Sequence, residues 1–183
     1  AAGACCAPAA DTGKPMTWMV QRYIQPCLYR GRKFHLRALL LCIGSLQAYL
    51  HEEVRMLVAT KSFQENQWDS SCLGAHVTNM GVNKTCQGYS EASQNHHLGV
   101  LGDALRTEIF NSMQQVLSST LVSVVAAGRR HFFVMENCWE LFGVDFLVED
   151  GSNRVVLLEM NPSPSLAMYG ESNTVLQTFI GSD

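Results

Sequence analysis

The last third of the chain contains two apolar runs on either side of a cluster of turn-forming residues. Residues 142–148 and 155–161 are mostly apolar, and residues 149–153 read Glu-Asp-Gly-Ser-Asn. Short apolar runs bounded by such a cluster are typical of two antiparallel strands joined by a turn. The pattern therefore predicts a β-hairpin.

The predicted register of this hairpin brings two carboxylates together. Pairing Val148 with Val156 sets Asp145 opposite Glu159. Because side chains alternate along a strand, one face of the second strand is expected to carry Val155, Leu157, Glu159 and Asn161.

Like charges directly across a hairpin are destabilising, and burial increases the cost unless a cation lies between them. With Asn161 as a third oxygen donor, Asp145 and Glu159 suit Mg²⁺ or Mn²⁺ that also binds a nucleotide phosphate. The alternative is that one carboxylate faces water on an exposed sheet surface. The spacing leaves both interpretations open.

A second strand carries basic side chains on one face. Residues 32–37 alternate polar and apolar before the apolar run 38–43, so Lys33, His35 and Arg37 are expected to share a face. Arg offers a planar fork and Lys a point charge, which together suit a triphosphate. The alternative is a solvated edge strand, where such charges discourage unwanted pairing.

Helical periodicity dominates the segment before the hairpin. Gly128 is a stop signal for this predicted helix, and a shorter helix is expected near residues 171–180. Residues 62–75 and 84–99 are rich in polar and small residues and are predicted to be loops. The apolar positions at helical spacing are Leu101, Leu105, Ile109, Met113, Val116, Leu117, Leu121 and Val124. Together these elements predict an α+β domain with a mainly antiparallel sheet.

Composition narrows the possible functions. A chain of 183 residues with 47% hydrophobic content suits one compact domain, and its net charge of −3 provides no basic stripe for nucleic acid. The apolar runs are too short to span a membrane. Seven cysteines without a secretory leader favour free thiols in a reducing compartment. We therefore expect a cytoplasmic protein that binds neither nucleic acid nor membrane.

Several motifs, in this order, resemble those of the tubulin-tyrosine ligase and ligase-like family, whose members have an ATP-grasp fold. They are WMVQRYI (18–24), GRKFHLR (31–37), YLHEEV (49–54), HVTNMGVNK (76–84), ELFGVDFLVED (140–150) and VVLLEMNPSPSL (155–166). The resemblance implies the C-terminal lobe of an ATP-grasp ligase, in which a mainly antiparallel sheet is packed by helices.

The resemblance also implies roles for individual residues. The family's metal-binding acid, acid and amide fall on Asp145, Glu159 and Asn161, and its phosphate-facing cations fall on Lys33 and Arg37. Lys33, Arg37 and Glu159 are thus the expected catalytic residues. The remaining nucleotide contacts are expected at His35 and at His76, Val77, Thr78 and Asn79. The resemblance also implies a hinge strand that contacts adenine chiefly through its backbone. Its residues are Gln21, Arg22, Tyr23 and Ile24.

Three positions depart from the family pattern. His35 stands where the pattern has an aspartate near the nucleotide, and Arg22 stands where many members have another residue, often lysine. A family arginine aligns with Leu57 in this sequence. Arg55 lies two residues earlier and is therefore expected on the same strand face as Leu57.

The family's upstream half, with its phosphate-contacting lysine and glycine-rich loop, has no counterpart in this sequence. Residues 1–16 are rich in small residues and are expected to form a flexible leader, and residues 17–183 the ligase-like domain. The N-terminal ATP-grasp lobe is therefore expected to be missing, and the chain, which begins with Ala, is expected to be a fragment, a processed product or the result of an incomplete gene sequence.

The resemblance implies an ATP-dependent ligase that joins a free amino acid to a protein carboxylate through an acyl-phosphate, with ATP and Mg²⁺ or Mn²⁺ as cofactors. The expected partner is tubulin or another protein with an acidic tail, which would associate the protein with the cytoskeleton. A non-catalytic nucleotide- or tubulin-binding module is the alternative. The sequence leaves the identity of the amino acid open.

Overall fold

The computed structural model describes residues 20–63, 73–86, 88–127 and 135–169. Their seven strands form one antiparallel sheet with the order β5-β4-β2-β6-β7, in which β1 and β3 also pair with β2. The strands are β1 Leu28–Tyr29, β2 Arg32–Ile43, β3 Gln47–Leu50, β4 Arg55–Val58, β5 Asn95–His97, β6 Trp139–Val148 and β7 Val155–Pro162. The predicted α+β class with an antiparallel sheet is confirmed.

One long helix packs on this sheet. The helices are α1 Leu73–His76, α2 Met80–Asn83, α3 Glu91–Gln94 and α4 Asp103–Ala127, with 3₁₀ turns at Leu98–Leu101 and Ala167–Tyr169. Helix α4 buries Ile109, Met113, Leu117 and Leu121, four positions of the predicted stripe, because apolar residues at this spacing share one side of a helix. Gly128 and residues 171–180 lie outside the described residues. No helix within the described ranges is long and apolar enough to cross a membrane.

Strand β2 divides its side chains between two different environments. Phe34, Leu36, Ala38 and Leu40 point into the core beneath α4. The intervening residues, among them His35 and Arg37, point to the opposite side of the sheet. We call these sides the core face and the polar face.

The predicted hairpin is confirmed, but its predicted register is only partly right. Val148 pairs with Val155, one residue earlier than the predicted Val156, whereas Asp145 does lie opposite Glu159. Both pairings can coexist only if β7 contains one extra residue between them.

Leu158 is that extra residue. Phe146 pairs with Leu157 and the next pair is Asp145 with Glu159, so the register shifts by one at this point. Such a β-bulge changes which face the following residues occupy. Leu158 itself is about half exposed.

The bulge overturns the predicted face of β7. Val155 and Leu157 pack in the core with Met160, whereas Glu159 lies opposite Asp145, and Asn161 opposite Gly143, on the polar face. The prediction that Val155, Leu157, Glu159 and Asn161 share one face is therefore wrong, because it assumed uninterrupted alternation.

Other local predictions also need correction. The predicted loop 62–75 includes the first residues of α1, and the predicted loop 84–99 contains α3 and β5. Strand β5 reads Asn-His-His, so it has no apolar periodicity, and its pairing with β4 defines it.

The predicted hinge strand 21–24 is not a strand. Hydrogen bonding to the hairpin begins at Gln25, whose carbonyl accepts from the Asp150 amide at 2.9 Å. Pro26 then bridges to Glu149, and the Cys27 amide donates to the carbonyl of Val148 at 2.8 Å. Residues 21–24 therefore lie before the first sheet hydrogen bonds of this segment.

The packing of α4 can be tested by truncating one buried residue. Met113→Ala should lower the free energy of unfolding by about 2–5 kcal/mol, because it leaves a cavity under the helix. Val122→Ala, on the exposed side of the same helix, should change it by less than about 0.5 kcal/mol. Urea unfolding measures both. Equal losses would contradict the assigned helix orientation.

Candidate phosphate and metal site

Three adjacent strands bring charged side chains together on the polar face. Arg37 on β2 lies opposite Asp145 on β6, and Asp145 lies opposite Glu159 on β7. Residues opposite one another in antiparallel strands project from the same face. Arg37, Asp145 and Glu159 therefore form a row across the sheet, and Lys33 and His35 extend it along β2.

Arg37 and Asp145 form a two-pronged ion pair. Arg37 Nε donates to Asp145 Oδ1, and Arg37 Nη2 donates to Asp145 Oδ2 at 2.6 Å. Their side chains are only 13% and 7% exposed. The hydrogen bonds to Asp145 raise the pKa of Arg37, so the guanidinium stays charged. The buried carboxylate thus has a counter-ion within the chain, and the register alone does not require a divalent cation.

Gly143 provides the space through which the Arg37 side chain runs. A Cβ atom at Gly143 would lie 2.8 Å from Pro164 Cβ and 3.6 Å from Arg37 Cδ. The first distance is shorter than any normal contact between carbon atoms. A side chain at this position would therefore displace Pro164 and crowd Arg37.

His35 is buried and neutral. It is 6% exposed, and its Nδ1 lies 2.6 Å from Thr78 Oγ1. Burial, followed by the charges of Arg37 and Lys33, lowers the pKa of His35 to about 3, against a smaller opposing effect of Glu159. A neutral imidazole therefore occupies the position where the resemblance led us to expect an aspartate in other members, which leaves the face less negative.

Lys33 and Glu159 lie toward the edges of this cluster. Lys33 Nζ lies 5.6 Å from the ring centroid of Tyr23, and burial lowers the pKa of Lys33. Glu159 is exposed, and its Oε1 accepts a hydrogen bond from Asn161 Nδ2 at 2.9 Å. The interpretation in which one carboxylate faces water therefore holds for Glu159.

The donor set on this face fits a hard divalent cation. Asp145, Glu159 and Asn161 present two carboxylates and an amide, which are oxygen ligands of the kind that Mg²⁺ and Mn²⁺ prefer. A carboxylate has about four lone-pair sites, so Asp145 retains acceptor capacity beside Arg37. Across the described part of the chain, no group of three or more His, Cys, Asp or Glu side chains could hold a metal ion.

A cavity of about 230 Å³ opens beside Arg37. It contains two predicted nucleotide contacts besides Arg37, namely His35 and Asn79. The lining residues are His35, Arg37, Leu57, Asn79, Met80, Gly81, Lys84, Ser165 and Met168. Sequence reasoning did not assign a role to Lys84, Ser165 or Met168, although Lys84 and Ser165 stand inside the quoted motifs HVTNMGVNK and VVLLEMNPSPSL.

The segment 76–79 contacts the sheet through Thr78, whose Oγ1 lies 2.6 Å from Nδ1 of His35 on β2. His76 packs edge-on against Phe63, with ring centroids 5.3 Å apart, and Asn79 caps α2 by accepting from the Gly81 amide at 2.8 Å. Neither His76 nor Val77 lines the cavity.

The segment 21–24 is likewise absent from the cavity lining. Tyr23 lies beside Lys33, as noted above, whereas Gln21, Arg22 and Ile24 have no described contact with the row of charged residues. Their role in binding adenine stays a prediction.

The fold matches that of a solved ATP-grasp enzyme. The crystal structure of the C-terminal domain of K. lactis Pby1, described as an ATP-grasp enzyme interacting with the mRNA decapping enzyme Dcp2, superposes with a TM-score of 0.59 and 27% identity. The match covers 78% of this chain and 39% of the Pby1 chain. The predicted likeness to the C-terminal part of an ATP-grasp enzyme is confirmed.

The family model of the tubulin-tyrosine ligase family matches residues 9–183, and the chain belongs to that family. The match begins inside the predicted leader, and the described residues begin at Val20, so the domain boundary at residue 17 stays a prediction.

Curated relatives agree with this assignment. A probable tubulin–tyrosine ligase of Schizosaccharomyces pombe is 32% identical over 85% of this chain and 38% of its own length. A probable tubulin polyglutamylase of Bos taurus, TTLL9, is 28% identical over 91% of this chain and 37% of its own length. The chain thus spans less than two fifths of the length of these relatives.

The neutral state of His35 predicts a pH dependence of stability. Its pKa is about 3 in the folded chain and near 6.5 when unfolded, so only the unfolded state binds a proton between these values. Stability should therefore fall as the pH drops below about 6.5, by at most about 1.4 kcal/mol per pH unit from this residue. His35→Gln should flatten this slope in urea unfolding series. An unchanged slope would contradict a buried neutral His35.

Proposed function

We propose that this chain supplies the phosphate- and metal-binding part of an ATP-dependent ligase that joins an amino acid to a protein carboxylate. The observation that carries the proposal is the row of charged groups on the polar face, where Arg37, Asp145 and Glu159 lie on three adjacent strands. Cations for phosphate and oxygen donors for a metal are adjacent there. Membership of the tubulin-tyrosine ligase family supports the same reaction class.

In this proposal Arg37 and Lys33 bind and neutralise the terminal phosphates. The guanidinium is already oriented by Asp145, and charge that is fixed before the reaction stabilises a transition state without reorganisation. Asp145, Glu159 and Asn161 would hold Mg²⁺ or Mn²⁺, which when bound supplies further neutralisation of phosphate charge. These residues act by positioning and electrostatics, and no protein nucleophile is required.

The proposed reaction has two steps. A carboxylate oxygen of the protein substrate attacks the γ-phosphorus of ATP, ADP departs, and an acyl-phosphate forms. The amine of a free amino acid then attacks the acyl carbon, phosphate departs, and the amine loses a proton. His35, Thr78 and Asn79 would complete the nucleotide site, with adenine near residues 21–24.

The proposed protein substrate is tubulin or another protein with an acidic tail. Relatives named as probable tubulin–tyrosine ligases and probable tubulin polyglutamylases support this choice. A cytoplasmic location associated with the cytoskeleton would follow, and nucleic acid and membrane play no part in the proposal.

A second candidate function is a nucleotide- or tubulin-binding module without catalysis. It is favoured by the buried His35 at the expected aspartate position and by the apolar Leu57 at the expected arginine position. The internal neutralisation of Asp145 by Arg37 also favours it.

The two functions can be separated by calorimetric titration of the 183-residue chain with MgATP, followed by incorporation of radiolabelled amino acids into tubulin. Binding with incorporation supports the ligase, and binding without incorporation supports the module. The absence of MgATP binding would contradict the ligase and the nucleotide-binding form of the module.

Glu159 offers the sharpest test of the metal site because it is exposed and its loss should not disturb folding. Glu159→Gln should weaken MgATP binding by about tenfold or more, equivalent to about 1.4 kcal/mol, through loss of a metal ligand. The matched control is Glu140→Gln, an exposed carboxylate near the start of β6. Calorimetry in Mg²⁺ measures both. Equal affinities in the two variants would exclude Glu159 as a ligand.

The phosphate role of Arg37 is tested by a charge-conserving change. Arg37→Lys keeps the charge but loses the planar fork, and should weaken MgATP binding by about tenfold. Arg30→Lys is the matched control, since Arg30 is exposed and lies outside the row of charged residues. Its Cζ lies 5.1 Å from the ring centroid of Tyr29. The MgATP affinity of Arg30→Lys should stay within about twofold of that of the unmodified chain. Equal losses would indicate a general effect of the basic segment.

A further inference from the structure

The segment that follows β7 turns back across the polar face. It comprises residues 163–169, and we call it the return segment. It begins at Ser163, which has a positive φ of 54°, and places Pro164 against Gly143. Its far end is tied to β5, where Asn95 Nδ2 donates to the carbonyl of Met168 at 2.8 Å.

Tyr169 ends the described part of this segment and is buried between two arginines. It is 5% exposed and packs in a small apolar cluster with Leu39. Its hydroxyl lies 3.4 Å from the backbone carbonyl oxygen of Arg37, and its ring centroid lies 5.4 Å from Arg55 Cζ. Burial raises the pKa of Tyr169, so its hydroxyl remains a neutral donor.

The two arginines are directly opposite each other. Arg37 on β2 pairs in register with Arg55 on β4. Like charges at opposed positions repel, and burial strengthens the repulsion. The side chains avoid this by turning to different partners, Arg37 to Asp145 and Arg55 to Glu53, whose Oε1 lies 2.8 Å from Arg55 Nη2.

We propose that Tyr169 is a positioning residue for Arg37. The Tyr169 ring holds the Arg55 guanidinium on its Glu53 side, which leaves Arg37 the space and the direction to meet Asp145 and the cavity. The inference rests on the proposed function only for its effect on nucleotide binding. The geometry of the two arginines tests it independently of any ligand.

The proposal assigns the positioning role to the ring of Tyr169 and not to its hydroxyl. A contact of 3.4 Å between two oxygens is longer than the usual range of hydroxyl hydrogen bonds, so the hydroxyl contributes little. The ring supplies the cation–π contact with Arg55. Tyr169→Phe should therefore preserve positioning, and Tyr169→Leu should lose it.

The primary experiment measures exchange of the Arg37 Nε proton with solvent by ¹⁵N NMR, with the resonance assigned by its loss in Arg37→Lys. Tyr169→Leu should accelerate this exchange about tenfold or more, because the bond to Asp145 opens more often. Tyr169→Phe should stay within about threefold of the unmodified chain.

One further variant distinguishes this effect from a general loss of packing, and another replaces Tyr169→Leu if that variant does not fold. Leu141→Ala truncates the same apolar cluster without a described contact to either arginine, and should change the exchange less than about threefold. If Tyr169→Leu does not fold, Asn95→Ala replaces it, since this change releases the Met168 anchor and also removes a buried amide oxygen that lacks a partner among the described residues. Asn95→Ala should accelerate exchange by more than about threefold.

An unchanged exchange rate of the Arg37 Nε proton in a folded Tyr169→Leu or Asn95→Ala variant would overturn the proposal. An acceleration in Leu141→Ala as large as that in Tyr169→Leu would also overturn it. Calorimetry then measures the consequence for ligand binding. MgATP affinity should fall about fivefold in Tyr169→Leu and recover in Tyr169→Phe. If the unmodified chain binds no MgATP, the proposed function fails, but the exchange measurement still decides the role of Tyr169.

Discussion

A single β-bulge determines which way the two donors on β7 point. Under uninterrupted alternation, Glu159 and Asn161 would follow Val155 and Leu157 into the core beneath α4, where a carboxylate without a partner is strongly unfavourable. The extra residue, Leu158, reverses the faces after Leu157 and delivers both donors to the polar face beside β6. The proposed metal-binding roles of Glu159 and Asn161 depend on that one-residue shift, whereas Arg37 and Asp145 reach the polar face without it.

Charge balance explains how the polar face remains stable without a ligand. The buried carboxylate of Asp145 is neutralised by Arg37, and His35 avoids adding a charge because burial keeps it neutral. Glu159, the remaining carboxylate of the row, is solvated. The face can therefore fold as it stands, while Lys33 and Arg37 remain the nitrogen donors nearest to an incoming anionic ligand. This arrangement suits a site that acts by electrostatics.

Regular periodicity predicted the elements with strong local signals, namely α4, β2 and the hairpin strands. It also predicted that Asp145 and Glu159 lie opposite each other. The bulge was not predictable, because strand register depends on which residues are buried against other elements, here Val155, Leu157 and Met160 in the core. The contact between His35 and Thr78 joins residues 43 positions apart, which no local pattern reports. Likewise, β5 is defined by its partner strand and not by its own sequence.

The most direct test of the central claim is a crystal structure of the chain with Mn²⁺ and a non-hydrolysable ATP analogue, in which anomalous scattering locates the metal. The account predicts one manganese peak at about 2.0–2.3 Å from carboxylate oxygens of Asp145 and Glu159, with the terminal phosphate against Lys33 and Arg37. A manganese ion bound away from both carboxylates, or a nucleotide on any other surface of the sheet, would contradict it.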